Sequence, residues 1–398
     1  MGTEQQPSSK VAKKPHLSLA HVFHFVFFVI GLSIGITASL YIKSFLSYFR
    51  ATPFSLLRSS PIMLLPQSPA SASPPVSPLP LQLQPPSLPP PPPPPTAFMH
   101  NMDDGKLFRR ASTVPRIREF RSDYVPKVAF MFLTKGPIPL APLWEKFFEG
   151  HEGRYTIYVH THPLYNHSFP VNSVFHARKI PSQAVEWGRP TMIDAERRLI
   201  ANALLDSSNE RFVLLSETCI PLFNFTTTYN YLIEAKQSFV GSYDDPRKTG
   251  RGRYNPQMSP TISLANWRKG SQWFEVSRKV AIDIISDSKY YPLFSKFCSP
   301  PCYMDEHYIP TLVNILCPQE NSKRSITWVD WSKSGPHPGK FVRQAVSVEF
   351  LNQIRFGNRC SYNGNIVSSI CFLFGRKFMP NTLQPLLQIA PVLMDFGA

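Results

Sequence analysis

The residues with the clearest chemical potential are an acidic pair, Asp305 and Glu306, which lies between two cysteines, Cys298 and Cys302, and an apolar stretch at 308–316. A carboxylate in this position could act as a general base that takes the proton of a hydroxyl nucleophile. The structural alternative is an aspartate that caps a helix and a glutamate in the first helical turn. His307, next to the pair, is a candidate ligand or base, as is His337, although a lone histidine is more often neither.

A second charged segment reads DDPRKTGRGRY at residues 244–254. Asp244 and Asp245 could bind a divalent cation, and the basic residues could hold phosphate or an acidic sugar. A solvated charged turn is the alternative interpretation.

A third candidate is the pair Arg376 and Lys377, which follows Cys360 and Cys371. If these cysteines closed a short disulfide loop, the two cations would lie beside an aromatic strand and could neutralise a departing pyrophosphate without a metal ion. Surface cations beside a core strand are the alternative. Trp328 and Trp331 offer aromatic faces that suit sugar rings, but tryptophan is also a common core residue.

The elements that must position these residues alternate between strands and helices. Apolar runs predict strands at 127–134, 155–162, 174–180, 211–217 and 238–243, and the periodicity of residues 190–206 predicts a helix. This alternation indicates an α/β fold with a mainly parallel central sheet. Ligands of such sheets bind outside the carboxyl ends of the strands, which directs attention to Thr134, Lys135, Thr161, Glu217 and Asp244.

The segment before this domain predicts a membrane anchor and a spacer. Residues 17–42 are apolar except for two histidines and contain no formal charge, which is enough to span a bilayer as a helix. Proline-rich sequence follows, with seven consecutive prolines at 89–95, and such sequence forms an extended polyproline II spacer. We therefore predict a cytoplasmic tail at 1–16, a transmembrane signal anchor at 17–42, a stem at 43–126 and a catalytic domain at 127–398.

Charge, cysteines and sequons indicate where that domain resides. The net charge of +16 suits polyanions in general, but no nucleic-acid-binding motif is recognisable, so nucleic acid is not an expected partner. All six cysteines follow residue 218, and their even number suits disulfides in an oxidising compartment. Asn166 and Asn224 begin N-glycosylation sequons, which are used only on the lumenal side. Together these features favour a single-pass type II protein with a lumenal C-terminal domain.

Several spaced motifs resemble one family. The plant branch of the core-2/I-branching β-1,6-N-acetylglucosaminyltransferases, which includes the brittle-culm-type proteins, is similar in the order and content of these segments. They are VEWG at 185–188, DAERR at 194–198, FVLLSE at 212–217, CIPLF at 219–223, DDPR at 244–247, WRKGSQW at 267–273, DEH at 305–307 and FGRKF at 374–378. The resemblance covers about residues 127–390.

The resemblance implies a GT-A-type domain and an inverting reaction that uses a UDP-sugar donor and no cofactor. It implies that Glu306 is the catalytic base and that Lys377 contacts the donor diphosphate, with Arg376 or Arg359 as a second cation. Thr134, Thr161, Glu186 and Trp187 are the other predicted donor-binding residues. The predicted acceptor-binding residues are Asp244, Asp245, Arg251, Arg253, Tyr254, Trp328 and Trp331. A divalent metal is not expected, although the acidic pair at 244–245 departs from the metal-free relatives.

Together with the predicted anchor and lumenal domain, the resemblance implies transfer of N-acetylglucosamine from a UDP-sugar to a glycan or glycoprotein in the Golgi lumen. Two alternatives stay open: glucuronosyl or xylosyl transfer to a cell-wall proteoglycan, and a lumenal glycan-binding protein without catalytic activity.

Overall fold

The structure is a computed structural model that describes residues 100–115, 125–333, 335–364 and 366–396. Within these ranges no helix has the length and apolar character that a membrane crossing requires. The predicted anchor at 17–42 and most of the predicted stem lie outside the described residues.

The helices and strands follow one another along the chain, and their two longest connections are residues 161–190 and 234–274. The helices are α1 Asp104–Ser112, α2 Ala141–Phe148, α3 Thr191–Leu204, α4 Phe225–Ile233, α5 Arg278–Ser286, α6 Tyr291–Phe297, α7 Tyr308–Leu316, α8 Val348–Phe356 and α9 Leu383–Leu393. The strands are β1 Lys127–Leu133, β2 Tyr155–His160, β3 Asn209–Ser216, β4 Ile220–Pro221, β5 Glu275–Ser277, β6 Thr327–Val329, β7 Cys360–Tyr362, β8 Ile366–Ser368 and β9 Phe374–Arg376.

The central sheet has the strand order β2-β1-β3-β5. β1 pairs in parallel with both β2 and β3, and β5 joins the edge of β3 in the antiparallel direction. This confirms the predicted α/β class and the mainly parallel sheet. β1 is apolar along nearly its whole length because both faces of a parallel sheet are covered.

Alternate residues of β1 enter two separate hydrophobic clusters. Ala129 and Met131 pack in one cluster with side chains of α3 and α5. Phe130 and Phe132 point to the opposite face and pack with α2, α4 and β9. This alternation is the period of two that a strand imposes on its side chains.

A second sheet, of order β4-β9-β6, continues from the end of β3. β9 pairs antiparallel with β4 and parallel with β6. Because β4 begins four residues after β3 ends, this sheet carries the end of β9 to the carboxyl edge of the central sheet. A hairpin of β7 and β8 forms a third, two-stranded sheet.

β1, β2, β3 and helix α3 confirm the corresponding predictions within a few residues at each end. The predicted strand at 174–180 is wrong, because these residues form turns and only Lys179 pairs, with Val159. Ala177 has a φ of 56°, which is incompatible with a continuous strand.

The predicted strand at 238–243 is also wrong as a continuous element. Ser238, Phe239 and Tyr243 each make an isolated bridge to a different segment. Between them, the amide and the carbonyl of Val240 bind the side chain of Asn321 at 3.0 Å each. A side chain thus satisfies backbone groups that a neighbouring strand would otherwise pair.

Helix α1 packs on the rest of the described fold although it lies within the predicted stem. Its residues Leu107 and Ala111 are buried against α3 and α5. Arg198 of α3 donates to both carboxylate oxygens of Asp104, at 2.7 to 3.0 Å. The folded unit therefore begins before residue 127.

Four of the six cysteines form disulfides, Cys298 with Cys302 and Cys360 with Cys371. Cys219 and Cys317 are buried free thiols. The expectation of disulfides is thus met for two pairs, and the other two cysteines serve as packing residues.

We expect Asp104→Asn to lower the free energy of unfolding by about 1.5–3 kcal/mol, because Arg198 is buried and loses a charged partner. Urea denaturation measures this change. In the control, Lys106→Ala removes an exposed ion pair with Asp103 in the same helix and should cost at most about 1 kcal/mol. Equal midpoints for Asp104→Asn and the wild type would contradict the docking of α1.

Candidate active site

Glu306 lies in a 3-10 helix, Met304–Glu306, between the Cys298–Cys302 loop and α7. Tyr303, just before it, adopts the left-handed conformation with a φ of 55°, so the chain turns sharply into the acidic pair. The backbone amide of Gly270 donates to the Glu306 carbonyl at 2.8 Å. The position of Glu306 is thus fixed by the loop before it and by the segment around residue 270.

Two cations hold the Glu306 carboxylate. Lys269 Nζ and Arg253 Nη1 each donate to Oε2 at 2.6 Å. Among the described residues both contacts go to Oε2, which leaves Oε1 for a hydroxyl group. The Glu306 side chain is 26% exposed, so a substrate can reach it.

The two neighbouring carboxyl groups have pKa values displaced in opposite directions. Burial raises the pKa of Glu306, but Lys269 and Arg253 outweigh it and hold the pKa below the ordinary value. Burial, followed by the charge of Glu306, raises the pKa of Asp305 to about 6. Asp305 is only 7% exposed, so Glu306 is the accessible and ionised member of the pair.

Neutral groups support the pair from inside the fold. Burial, followed by the charge of Asp305, raises the pKa of Glu196 on α3, which accepts a hydrogen bond from Gln272 at 3.0 Å. His307 is fully buried and stacks on Trp267 at 4.5 Å. Burial lowers the pKa of His307 to about 4, so this histidine is a neutral packing residue rather than a base.

Arg376 and Lys377 lie at the end of β9, beside the carboxyl end of β3. The Arg376 guanidinium lies 3.9 Å from the centre of the Trp273 ring and is 9% exposed. Backbone hydrogen bonds fix the position of Lys377. Its carbonyl accepts from the amide of Phe341 at 2.8 Å, and the amide of the next residue, Phe378, donates to the Thr218 carbonyl at 2.9 Å.

Four cations meet at this edge, and we call Lys135, Lys340, Arg376 and Lys377 the basic cluster. Burial lowers the pKa of Lys377, and so do the charges of Arg376, Lys340 and Lys135, whereas Glu217 opposes them. Lys135 follows β1 and Lys340 follows β6, so the cluster draws on separate loops. Convergent cations of this kind are suited to a diphosphate.

One short segment connects the acid to the basic cluster. Lys269 contacts Glu306, Gln272 contacts Glu196, and Trp273 contacts Arg376. Lys269 and Trp273 are four residues apart, so their Cα atoms are separated by at most ~14 Å. Glu306 and Arg376 of the basic cluster are therefore both contacted by one five-residue segment, 269–273.

The other predicted donor-binding residues have different surroundings. Thr134 and Thr161 are buried, and their hydroxyls donate to the nearby carbonyls of Gly136 and His162, so both hold strand-end turns. Glu186 lies 3.9 Å from Arg189 on the surface. Its neighbour Trp187 packs against Tyr303, three residues before Glu306.

Arg359 is exposed just before the β7–β8 hairpin, in a different sheet from Lys377. Arg376 directly precedes Lys377, and its positive charge lowers the pKa of Lys377. Of the two candidates for a second cation, Arg376 is therefore the one that belongs to the basic cluster.

The predicted acceptor-binding segment is held together by ion pairs. Asp244 pairs with Arg251, and Arg247 donates to both oxygens of Asp245 at 2.8 and 3.0 Å. The hydrogen bond from Arg247 lowers the pKa of Asp245 to about 2. Both carboxylates are therefore engaged as anions within the segment itself.

Of the remaining predicted acceptor-binding residues, all of which the structure describes, one contacts Glu306 and three do not. Arg253 contacts Glu306, as described above, whereas the Tyr254 hydroxyl donates to the Ile262 carbonyl at 2.7 Å. Trp328, in β6, packs against Phe341 and Phe350. Trp331 is 55% exposed.

The two sequons differ in accessibility. Asn166 is exposed in the loop after β2. Asn224 is half-buried and caps α4, where its side-chain oxygen accepts from the amide of Thr227 at 2.9 Å. Glycosylation at both positions stays a prediction.

Sequence reasoning did not assign Lys269, Lys340 or Tyr303 to the site. The strand-end rule did direct attention to Lys135 and Glu217, because they follow β1 and β3. Lys269 stands in the WRKGSQW motif, whose role only its contact with Glu306 reveals. Lys340 carries no local signal in the sequence.

Comparison with known proteins identifies the family of this chain. Residues 128–355 match the family described as Branch: Core-2/I-Branching enzyme, a span that contains Glu306 and ends before Lys377. The chain is also similar to Glycosyltransferase BC10 of Oryza sativa subsp. japonica, with 36% identity over 298 residues, or 63% of this chain and 73% of the rice protein. The protein is therefore a glycosyltransferase that belongs to the core-2/I-branching enzyme family.

Proposed function

We propose that this protein is an inverting, GT-A-type enzyme that transfers N-acetylglucosamine from a UDP-sugar to a hydroxyl of a glycan or glycoprotein. This proposal is based on a reachable, ionised Glu306 and on the segment 269–273, which contacts both Glu306 and Arg376 of the basic cluster. A base for the incoming hydroxyl and cations for the departing diphosphate are the two groups that such a transfer requires.

The reaction proceeds by a single displacement. Glu306 Oε1 takes the proton of the acceptor hydroxyl as its oxygen attacks the anomeric carbon of the donor. The bond between that carbon and the phosphate oxygen breaks on the opposite face, which inverts the configuration. Lys377 and Arg376, with Lys135 and Lys340, offset the negative charge that develops on UDP.

Metal-independent transfer forms part of the proposal. Four cations form the basic cluster, which in this proposal holds the diphosphate, and Asp244 and Asp245 are each engaged by an arginine. Charge-assisted hydrogen bonds can supply the stabilisation that a divalent ion provides in other enzymes.

We place the enzyme in the Golgi membrane, with residues 17–42 as a type II anchor and the catalytic unit in the lumen. The two disulfides suit an oxidising compartment. The exposed Asn166 suits a lumenal surface, where N-glycans are attached.

The central experiment is a donor panel of UDP-GlcNAc, UDP-glucuronic acid and UDP-xylose, measured with EDTA present, for the wild type and Glu306→Gln. We expect transfer from UDP-GlcNAc in EDTA and a loss of about 10²–10⁴-fold in the variant, because it lacks the base. Its affinity for UDP, measured by calorimetry, should stay near the wild-type value. Wild-type turnover in Glu306→Gln would contradict the assignment of Glu306 as the base. Transfer from UDP-glucuronic acid or UDP-xylose instead of UDP-GlcNAc would identify a different donor.

Lys377→Ala should weaken UDP binding by about tenfold or more, since a charge-assisted hydrogen bond contributes about 1.5–3 kcal/mol. Calorimetric titration with UDP measures the change. Lys279→Ala is the matched control, because Lys279 pairs with Glu320 and lines a surface cavity with Glu210, at the amino end of β3 and away from the site. Equal UDP affinity in the two variants would exclude Lys377 from the donor site.

Lys269→Met should move the acid limb of the kcat/KM profile to higher pH. The positive charge of Lys269 lowers the pKa of Glu306, so its removal raises that pKa, and the base becomes protonated earlier as the pH falls. Arg253, Asp305 and Tyr243 also act electrostatically with Glu306 and remain in the variant. An acid limb identical to that of Lys279→Met would show that Lys269 does not tune the base.

A further inference from the structure

Trp187 is a large aromatic residue that is exposed to solvent and packs against Tyr303, three residues before the proposed base Glu306. It lies in the loop before α3 and is 54% exposed. Its ring centre is 4.8 Å from that of Tyr303 and 5.3 Å from that of His337. Three rings from three separate loops therefore meet at this point, and we call them the aromatic platform.

The backbone conformations of Gly188 and Tyr303 also hold the aromatic platform in place. Gly188 has a φ of 76°, and a Cβ at this position would lie 2.9 Å from Cε1 of Tyr303. Tyr303 is itself held in the left-handed conformation. The loop can approach Tyr303 this closely because residue 188 is a glycine, which has no Cβ. The position of Trp187 therefore depends on Gly188.

The platform is linked to the base through a single residue. The Arg253 guanidinium lies 4.5 Å from the centre of the Tyr303 ring, and the same side chain donates to Glu306 Oε2 at 2.6 Å. Trp187, Tyr303, Arg253 and Glu306 thus form a continuous series of contacts. A molecule that presents a hydroxyl to Glu306 or a sugar carbon to that hydroxyl would lie within reach of the tryptophan.

The chemistry of an exposed indole face restricts what it can bind. The face carries the negative part of the ring quadrupole. A pyranose ring with mainly equatorial hydroxyls presents axial C–H groups with partial positive charge on its faces, and these groups are also apolar enough to gain from leaving water. A diphosphate has neither property and is better matched to the basic cluster.

We propose that the open face of Trp187 stacks on a pyranose ring held beside Glu306 and thereby helps to select the sugar that takes part in transfer. The ring belongs either to the sugar of the donor or to the acceptor, and both present the same C–H face. This inference rests on the proposed function and adds a specificity-determining residue to it. Tyr303 and Arg253 are positioning residues, since they act through Trp187 and Glu306.

The test compares Trp187→Phe with Trp187→Leu in the full-length, detergent-solubilised protein. Phenylalanine keeps an aromatic face, whereas leucine keeps apolar bulk without one. Calorimetry measures the affinities for three kinds of ligand. These are UDP, UDP-GlcNAc and, with UDP present, the p-nitrophenyl β-glycosides of galactose, N-acetylglucosamine and xylose. The unfolding midpoint of each variant reports whether the loop still folds.

We expect both variants to bind UDP as the wild type does. Trp187→Leu should lose about three- to tenfold in affinity for one sugar-bearing probe, the size of an aromatic contact, and Trp187→Phe should lose much less. A loss confined to UDP-GlcNAc assigns the stacked ring to the donor, and a loss confined to a glycoside assigns it to the acceptor.

Three results would overturn the inference. One is an equal loss of affinity for UDP itself, which indicates contact with the nucleotide. Another is identical behaviour of the leucine and phenylalanine variants with every sugar probe. The last is a wild type that binds UDP-GlcNAc no better than UDP and binds no glycoside.

A second variant keeps the indole and disturbs only its support. Gly188→Ala places a methyl group against Tyr303 and should reproduce the sugar-specific loss of Trp187→Leu, with UDP binding retained. Failure of the proposed function would look different, because the wild type would then transfer no sugar at all. Transfer by the wild type with unchanged sugar affinity in Gly188→Ala and Trp187→Leu would reject the platform alone.

Discussion

The site depends on how two cations meet one carboxylate oxygen. Lys269 and Arg253 come from separate loops and both contact Glu306 Oε2 at 2.6 Å. A half-buried carboxylate is costly without such partners, so the pairing stabilises the anion and fixes which oxygen faces outward. Because the chain between Lys269 and Trp273 also reaches Arg376, the same contact sets the spacing between the base and the basic cluster.

Buried charge extends beyond the site into the core. The run DAERR on α3 has the composition of a solvent-exposed face, yet Glu196, Arg197 and Arg198 are buried. Each has its own partner: Gln272 for Glu196, the rings of Phe108 and Tyr291 for Arg197, and Asp104 for Arg198. Helix α3 thus connects the acidic pair, through Glu196, with the helix that precedes the catalytic unit.

The strands and the helix that were predicted correctly are those whose own residues show a clear apolar pattern. β1 and β3 are apolar because both faces are covered, and α3 carries apolar residues at helical spacing. The segments at 174–180 and 238–243 also contain apolar residues, but the first forms turns and the second makes only isolated bridges. Asn321, which replaces a strand beside Val240, could not be identified from the residues around 240.

The same limit applies to the site. Glu306 and Lys377 were predicted from motifs, whereas their neighbours can be identified only from contacts between residues that are distant in the sequence. Lys269 meets Glu306 across 37 positions, and Lys340 reaches Lys377 through the fold of a loop. Asp244 and Asp245 show the reverse case: an acidic pair suggestive of a metal site is engaged instead by arginines a few residues away.

The basic cluster has a consequence for the end of each catalytic cycle. Four positive charges face Glu217 at one edge of the sheet, and they repel one another when no anion is present. Once the glycosidic bond has formed, the freed nucleotide carries more negative charge than the donor did, so these cations hold the product more tightly than the substrate. In our proposed scheme, release of UDP from the basic cluster, rather than formation of the glycosidic bond, is the rate-limiting step.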